Sequence, residues 1–125
     1  MPEAPEARVI ADCLLVLVGQ SIKSIRVSPH VRQEGLESIV QDIKIVACTS
    51  YGKRVIIILE DGKHIVTCLG MTGKWILTQL DFNAAHNHVE IECTVNTAIY
   101  NDSRRFGWIV VVNHDKIEKI GRAHV

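Results

Sequence analysis

A series of short, strand-like runs fills the sequence from residue 44 onward and limits the folds open to this chain. In one of these runs Val89, Ile91, Cys93 and Val95 alternate with polar side chains, which predicts a strand with one buried face. Turn signals such as Asp61-Gly62 separate the runs. About eight strands with helices at the ends predict a mainly β (α+β) fold, a two-layer antiparallel β-sandwich. The predicted strands are residues 21–27, 44–50, 53–59, 64–69, 74–80, 88–95, 98–100 and 108–113.

The segment before the first strand predicts an N-terminal helix over residues 3–18. Pro5 and Glu6 suit its first turn, because proline needs no hydrogen-bond donor there and an acid favours the positive end of the helix dipole. Gly19 is a natural stop. A shorter helix is predicted over residues 35–43, and the tail 114–120 favours another. The apolar positions at helical spacing, which we expect to face the core, are Val9, Ile10, Cys13, Leu14, Leu17 and Val18, followed by Leu36, Ile39, Val40 and Ile43.

Length and charge indicate one domain without a strong electrostatic field. A chain of 125 residues is long enough for one compact domain with a real core. Lys plus Arg and Asp plus Glu number 14 each, so the net charge is zero with neutral histidines. Proteins that hold nucleic acid through bulk charge usually carry a clear basic excess. Any contact with DNA must therefore come from a local patch.

The four cysteines, at positions 13, 48, 68 and 93, predict free thiols and no metal site. No Cys-x-x-Cys pair accompanies them, and no histidine stands at zinc-ligand spacing. Each lies among apolar residues, so we expect buried side chains and a reducing, intracellular compartment. The apolar stretch 13–18 is too short to cross a bilayer and follows acidic residues, so neither a membrane span nor a signal peptide is predicted.

Three loop segments are unusual for plain turns. The hairpin segment Tyr51-Gly52-Lys53-Arg54 carries two cations, Leu69-Gly70-Met71-Thr72-Gly73 holds an apolar side chain between glycines, and residues 100–107 place two arginines before an aromatic residue and a glycine. Each has an ordinary explanation when taken alone. Loop cations are usually solvated, and the methionine could fill a gap in the core.

Taken together with the N-terminus, these segments resemble a known family. Met-Pro-Glu-Ala-Pro-Glu, Gly-Lys at 52–53, Leu-Gly-Met-Thr-Gly at 69–73, His-Asn-His-Val at 86–89 and Tyr-Asn-Asp-Ser-Arg-Arg-Phe-Gly at 100–107 occur in this order. In order and spacing they are similar to the N-terminal domain of the formamidopyrimidine-DNA glycosylase/endonuclease VIII family. The resemblance runs from residue 2 to about residue 113.

The resemblance implies a catalytic group at the start of the chain. After removal of the initiator methionine, the secondary amine of Pro2 would be the nucleophile that forms a covalent iminium with the sugar. An α-amino group has an unperturbed pKa of about 7.7–8.0, so part of it is neutral near pH 7. Glu3 matches the acid/base carboxylate, Glu6 a supporting acid, and Lys53 a lysine that reaches the phosphates around the lesion. No cofactor is implied.

The same resemblance implies damaged or abasic double-stranded DNA as the partner. Met71, Arg104 and Phe106 match the side chains that fill the gap left by a flipped-out nucleotide. Asn101, Asp102 and Arg105 are expected to brace that loop. For His86 and His88, a hydrogen-bonding role within the fold and a DNA contact both stay open.

The sequence departs from the family pattern at four places. Cys68 replaces a histidine, Ala4 replaces leucine or glycine, Ser103 replaces a proline, and Asn87 replaces an aspartate. Family members continue into a helix-two-turn-helix domain and usually a zinc finger, so we expect residues 1–125 to be the catalytic N-terminal domain alone. In the family, DNA lies in the cleft between the two halves, so the chain is either a fragment that lacks its C-terminal domain or a natural single domain. Exposed strand edges or the uncovered interdomain face could drive homodimerisation.

Three functions stay open on the sequence. The first is a DNA glycosylase with abasic-site lyase activity, or its catalytic half. The second is a damaged-DNA-binding domain that has lost turnover, which retention of Met1 would produce by blocking the Pro2 nitrogen. The third is a structural or partner-binding remnant. Borohydride trapping on abasic DNA separates the first from the others, because only the first forms a covalent adduct.

Overall fold

The computed structural model describes residues 4–78, 87–104 and 107–113. It contains one α-helix, two 3-10 turns and nine strands within these ranges. The helix α1 spans Ala4–Cys13 and leads into a 3-10 turn at Leu14–Leu17; a second 3-10 turn spans Leu36–Ser38. The strands are β1 (Ile22–Val27), β2 (Arg32–Glu34), β3 (Ile45–Tyr51), β4 (Arg54–Leu59), β5 (Lys63–Cys68), β6 (Lys74–Thr78), β7 (Asn87–Cys93), β8 (Thr97–Asn101) and β9 (Trp108–Asn113).

The strands form two sheets, as the sequence predicts for a β-sandwich. One sheet has the order β1-β7-β8-β6 and the other the order β2-β9-β5-β4-β3. All pairs are antiparallel except β2 and β9, which run parallel. The short β2 was not predicted, because three polar residues carry no hydrophobic alternation and only the neighbouring β9 makes them a strand.

The core lies between the sheets and under α1, which packs against β3 and β4. Its largest fully buried side chains include Leu14, Ile57, Ile65 and Tyr100. Trp75 of β6 donates a 3.2 Å hydrogen bond from its indole nitrogen to the Thr67 hydroxyl of β5. This buried contact joins the two layers.

The predicted helix over residues 3–18 is correct in position but not in its buried face. Ala7, Ala11, Leu14 and Leu17 are buried, whereas Val9 is 61% exposed. The helix tightens into a 3-10 turn after Cys13, which changes the angular spacing of the last residues. The expectation that Val9, Cys13 and Val18 face the core is therefore wrong.

The predicted helix over residues 35–43 is wrong beyond its first turn. Ile39 is already extended, with φ −78° and ψ 125°. The backbone of Asp42 and Ile43 instead bonds to Ile22 at the start of β1, with N···O distances of 2.7 and 2.8 Å. These tertiary hydrogen bonds override the helical spacing, and Val40 is left 55% exposed.

The predicted strand over residues 88–95 ends early. The structure ends β7 at Cys93, where the chain turns through a hydrogen bond from Cys93 N to Asn96 O. The backbone nitrogens of Val95 and Asn96 both donate to the Gln20 side-chain oxygen. Val95 consequently lies on the surface, and its predicted inward position is wrong. Of the predicted strand 74–80, residues 79 and 80 lie outside the described ranges, as does the predicted tail helix 114–120.

The cysteines divide between core and surface. Cys48 and Cys93 are buried, as expected, whereas Cys68 is only half-buried and Cys13 is exposed on α1. Within residues 4–78, 87–104 and 107–113, no cluster of three or more metal-ligating side chains is present. No helix in this part of the protein is long and apolar enough to cross a membrane.

Burial raises the pKa of Cys48 to about 12 and that of Cys93 to about 11, with smaller contributions from Cys93 and Glu92 respectively. The folded state therefore holds these protons more tightly than the unfolded state. The free energy of unfolding should fall as pH rises from about 9 toward 11–12, by up to about 1.4 kcal/mol per pH unit for each thiol. Urea unfolding from pH 8 to 10.5 measures this slope. Cys48→Ala with Cys93→Ala should reduce this slope, and part of the slope above pH 10 should remain because the pKa of Tyr100 is also raised by burial. Cys13→Ala, at an exposed cysteine of α1, is the control.

Candidate nucleic-acid interface

The three unusual loops meet at one end of the sandwich, which we call the loop end. Tyr51, Arg54, Cys68 and Trp108 are cross-strand neighbours in one row across β3, β4, β5 and β9. The β3–β4 hairpin turns at this row, β5 ends at it, and β9 begins at it. Antiparallel register thus brings together segments that lie far apart in the sequence.

Two of these loops are crossovers between the sheets. The methionine loop, residues 69–73, carries the chain from β5 in the five-stranded sheet to β6 in the four-stranded sheet. The arginine loop, residues 102–107, carries it back from β8 to β9. Residues 105 and 106 of this loop lie outside the described ranges. Both crossovers occur at the loop end because the antiparallel pair β6–β8 separates them.

The methionine loop is anchored at one side and exposed at its tip. Leu69 is buried, and the backbone nitrogen of Gly73 donates to its carbonyl at 2.8 Å. Met71 stands between them with 42% of its surface exposed. The alternative that Met71 fills a gap in the core is therefore excluded.

A buried carboxylate joins the two crossovers. Asp102 is 1% exposed, and its carboxylate accepts hydrogen bonds from the Thr72 hydroxyl at 2.7 Å, the Tyr100 hydroxyl at 3.0 Å and the backbone nitrogen of Gly107 at 2.8 Å. Each partner comes from a different element around the loop end. The predicted bracing role of Asp102 is confirmed by these contacts.

Thr72 completes the connection. Its hydroxyl donates to Asp102 and accepts a 3.1 Å hydrogen bond from the backbone nitrogen of Arg104. Arg104 is exposed, like Met71. One hydroxyl next to Met71 thus fixes the backbone of Arg104, and the two loops form a single unit.

His88 has a role inside the fold. It is 4% exposed, and its Nε2 lies 2.8 Å from the carbonyl oxygen of Asp102. Because a carbonyl only accepts, Nε2 carries the hydrogen. Of the two roles left open for this residue, the structure supports the hydrogen bond. His86 lies outside the described residues.

Asn101 braces the neighbouring strand. Its side-chain nitrogen donates to the Asn87 side-chain oxygen at 2.8 Å, across β7 and β8. Lys74 is the cross-strand neighbour of Asn101 on the other side. The start of the arginine loop is thereby held from the side of the four-stranded sheet.

The Tyr100 hydroxyl keeps its proton in this network. Burial, followed by the charge of Asp102 and its hydrogen bond, raises the pKa of Tyr100 well above its usual value of 10. The hydroxyl of Tyr100 consequently remains a donor to Asp102 throughout the neutral and mildly alkaline range.

Close packing around the network requires two glycines. A Cβ at Gly107 would meet the Tyr100 hydroxyl in a hard clash, Cys68 O at 2.6 Å and an Asp102 carboxylate oxygen at 2.9 Å. A Cβ at Gly73 would clash with Leu69 O and stand 2.5 Å from the Tyr100 hydroxyl. Both glycines thus let the loop backbones approach the Tyr100–Asp102 pair.

Gly107→Ala should lower the free energy of unfolding by about 2–3 kcal/mol, because backbone and buried polar atoms must move to admit the methyl group. Gly52→Ala is the matched control. Position 52 has φ +58° but nothing within 4 Å of an added Cβ, so only about 1 kcal/mol of backbone strain is expected. Equal losses in urea unfolding for the two variants would show that the packing around Asp102 tolerates a methyl group.

The loop end is locally basic although the chain is neutral overall. Its segments 51–54, 69–74 and 100–104 contain Lys53, Arg54, Lys74 and Arg104, with Asp102 as the single acid. Lys53, Lys74 and Arg104 are exposed, whereas Asp102 is buried. A surface of this kind attracts a polyanion by local charge. Because the net charge of the chain is zero, any contact with DNA depends on such a local patch.

The structure describes part of the predicted site. Lys53, Met71 and Arg104 lie in loops of the loop end, Asn101 lies at its rim, and Glu6 is exposed in the first turn of α1. The predicted residues outside the described ranges are Pro2, Glu3, Arg105 and Phe106.

Sequence reasoning missed Tyr100 and Trp108 as parts of this end. Alternation within β8 places Tyr100 on the same face as the buried Ala98, which is a signal for burial. The sequence holds no signal for its contact with Asp102 or for the row of Trp108 with Arg54.

Comparison with known proteins supports the resemblance. A sequence model described as the formamidopyrimidine-DNA glycosylase N-terminal domain matches residues 1–109. Formamidopyrimidine-DNA glycosylase of Solibacter usitatus (strain Ellin6076) is 31% identical over 114 residues, which cover 87% of this chain and 42% of that protein. Its counterpart in Lactobacillus acidophilus (strain ATCC 700396 / NCK56 / N2 / NCFM) is 35% identical over 114 residues, covering 86% and 41%.

Solved structures share the fold. Wild-type Lactococcus lactis Fpg (MutM), in a complex with DNA containing N7-benzyl-Fapy-dG, superposes with a TM-score of 0.90 at 27% identity. The match covers 98% of this chain and 48% of that one. The same enzyme non-covalently bound to DNA with an abasic site gives 0.87 at 26%, covering 97% and 49%. This chain spans less than half the length of these relatives. By sequence and by fold, it belongs to the formamidopyrimidine-DNA glycosylase family and carries the N-terminal domain.

Proposed function

We propose that this chain is the catalytic N-terminal domain of a base-excision repair DNA glycosylase that also cleaves abasic sites. Damaged or abasic double-stranded DNA is its substrate. The observation that carries the proposal is the Asp102–Thr72 network, which holds the Met71 and Arg104 loops as one unit at the basic end of the sandwich. The DNA complexes of Lactococcus lactis Fpg, which share this fold, support it.

The reaction begins at Pro2 once Met1 is removed. The secondary amine attacks C1′ of the damaged nucleotide, a C–N bond forms, and the glycosidic bond breaks as the base leaves with the proton of the amine. Glu3 then protonates O4′ of the sugar, the C1′–O4′ bond opens, and the nitrogen lone pair forms the iminium. The resulting iminium acidifies the C2′ hydrogen. Its removal as a proton expels the 3′ phosphate, so the strand is cut by β-elimination and water later releases Pro2.

The exposed loops supply the energy needed to hold the substrate. Extruding a nucleotide costs a few kcal/mol of stacking and pairing. Met71, Arg104 and Phe106 fill the vacated space, the first and third by apolar contact and the second with its planar guanidinium. Lys53 binds a phosphate beside the lesion. Since the relatives are about twice as long, we assign the rest of the DNA-binding cleft to the part of the family fold that residues 1–125 do not cover.

Strand cleavage tests the proposal. A labelled duplex with one abasic site is incubated with the chain from which Met1 has been removed, and an intact duplex of the same sequence is the control. We expect β-elimination products from the abasic duplex only. Tight binding without products would assign the second function, a silent damaged-DNA-binding domain. Neither binding nor cleavage would leave the structural or partner-binding remnant.

A further inference from the structure

Arg54 is a buried cation whose situation the proposed chemistry does not explain. It lies at the start of β4 with only 9% of its surface exposed. Its Nε has no hydrogen-bond partner, and its guanidinium carbon stands 5.4 Å from the centre of the Trp108 ring. Among the ion pairs within residues 4–78, 87–104 and 107–113, none includes Arg54.

A guanidinium cannot escape this situation by losing its proton, because arginine stays protonated in proteins. Buried charges in native proteins are paired or bind ions, and a buried donor without a partner calls for an explanation. Trp108 stabilises one face of the cation but offers no acceptor to the N–H group of Nε. The neighbours in its row are Tyr51 and Cys68, and neither is a carboxylate.

The position of Arg54 indicates which anion fits. It directly follows the exposed Lys53 at the hairpin, and its row borders the starts of both the methionine loop and β9. A guanidinium carries parallel N–H groups that match two oxygens of a phosphate. Because Nε of Arg54 is fully buried, the Nη groups are the ones that we assign to the anion. Gly52 and Lys53, which precede Arg54 in the hairpin, are exposed.

We propose that Arg54, held by Trp108, binds a backbone phosphate of the DNA next to the one that Lys53 binds. This inference rests on the proposed function, since DNA supplies the phosphodiester. Arg54 acts on every sequence alike, because a phosphate carries no base information. It contributes to affinity and its salt dependence, whereas Met71 and Arg104 contribute to the preference for a lesion.

Salt-dependent binding tests the proposal. We compare the full chain with Arg54→Gln on an abasic-analogue duplex and on an undamaged duplex, between 50 and 200 mM salt. Loss of one phosphate contact should reduce the slope of log affinity against log salt by about 0.9. The variant should therefore lose about 3–4-fold more affinity at 50 mM than at 200 mM, to the same extent on both duplexes. Arg54→Lys, which keeps the charge, should retain most of the slope.

Arg26→Gln is the matched control. Arg26 is an exposed arginine of β1 paired with Glu90, so its removal changes the total charge equally. Its slope should equal that of the unmodified chain. An unchanged slope in folded Arg54→Gln, or an equal reduction in Arg26→Gln, would overturn the proposal.

Inorganic phosphate separates this inference from the proposed function. At constant ionic strength, phosphate should raise the melting temperature of the unmodified chain relative to chloride, and this difference should disappear in Arg54→Gln. If phosphate raises the melting temperature through Arg54 but the chain does not bind DNA, the proposed function is wrong and Arg54 is still an anion site. If the chain binds DNA but phosphate raises the melting temperature of the unmodified chain and of Arg54→Gln equally, only the proposed site at Arg54 is wrong. If Arg54→Gln does not fold, Trp108→Leu is tested in its place. If Trp108→Leu leaves both the salt dependence of DNA binding and the effect of phosphate on the melting temperature unchanged, the proposed phosphate site at Arg54 is wrong.

Discussion

A chain with a free Pro2 amine should form a covalent adduct with abasic duplex DNA under borohydride, and a chain that keeps Met1 should form none. In the retained form the proline nitrogen belongs to a peptide bond and has no lone pair available for attack. Borohydride reduces the iminium to a stable amine, so the adduct appears as a band of higher mass on a denaturing gel. We expect the yield to fall by at least about 10³-fold, the scale on which loss of a nucleophile acts.

The control for this experiment is the other amine proposed to contact the DNA. Lys53→Gln with a free Pro2 should still form the adduct, at a lower rate, because Lys53 holds a phosphate and does not attack. Mass spectrometry establishes the state of Met1 in each sample. An adduct that persists with Met1 in place would show that an amine other than that of Pro2 attacks, and an adduct that Lys53→Gln abolishes would assign the attack to Lys53. Either result would defeat the proposed mechanism.

Asp102→Ala should lower the free energy of unfolding by about 3–5 kcal/mol. The substitution leaves the Tyr100 hydroxyl and the Gly107 nitrogen buried without an acceptor and removes the partner of Thr72. Each unsatisfied buried donor costs about 1–3 kcal/mol. A loss of this size is a large share of the about 5–15 kcal/mol that stabilises a typical domain. Urea unfolding measures it.

Asp102→Asn is the conservative comparison for this prediction. Its oxygen can accept from Tyr100 and Gly107 while its nitrogen donates to Thr72, so we expect a loss of only about 1 kcal/mol from the missing charge. The pKa of Tyr100 should fall in this variant, because the Asp102 charge is one cause of its elevation. If Asp102→Ala were no less stable than Asp102→Asn, the hydrogen-bond network would not be what joins the two crossovers.

The architecture could be predicted from the sequence wherever a short-range pattern decides the structure. Alternation and turn signals place β4, β5 and β9 almost to the residue, and these become two layers of antiparallel strands. Failures occur where distant backbone groups compete with the local pattern. The backbone of residues 42 and 43 hydrogen-bonds to that of Ile22 instead of continuing a helix. The side-chain oxygen of Gln20 accepts hydrogen bonds from the backbone nitrogens of Val95 and Asn96.

The candidate site divides in the same way. Lys53, Met71 and Arg104 were singled out because the segments that carry them match family motifs in order and spacing, whereas each segment alone has an ordinary explanation. The relation between them was not predictable, because the contact of Thr72 with Arg104 joins residues 32 positions apart. Such contacts depend on sheet register, which alternation alone does not specify between layers. The burial of Arg54 under Trp108 is hidden for the same reason.

The pairing of the two crossovers has a consequence for how the protein meets its target. Side chains carried by independent flexible hairpins lose conformational entropy when they enter a duplex, and affinity falls accordingly. Here the methionine loop and the arginine loop lose their conformational entropy relative to one another already when the sandwich folds. Recognition should then proceed with little rearrangement of this half of the protein, and the DNA, as the softer body, should be the one that deforms.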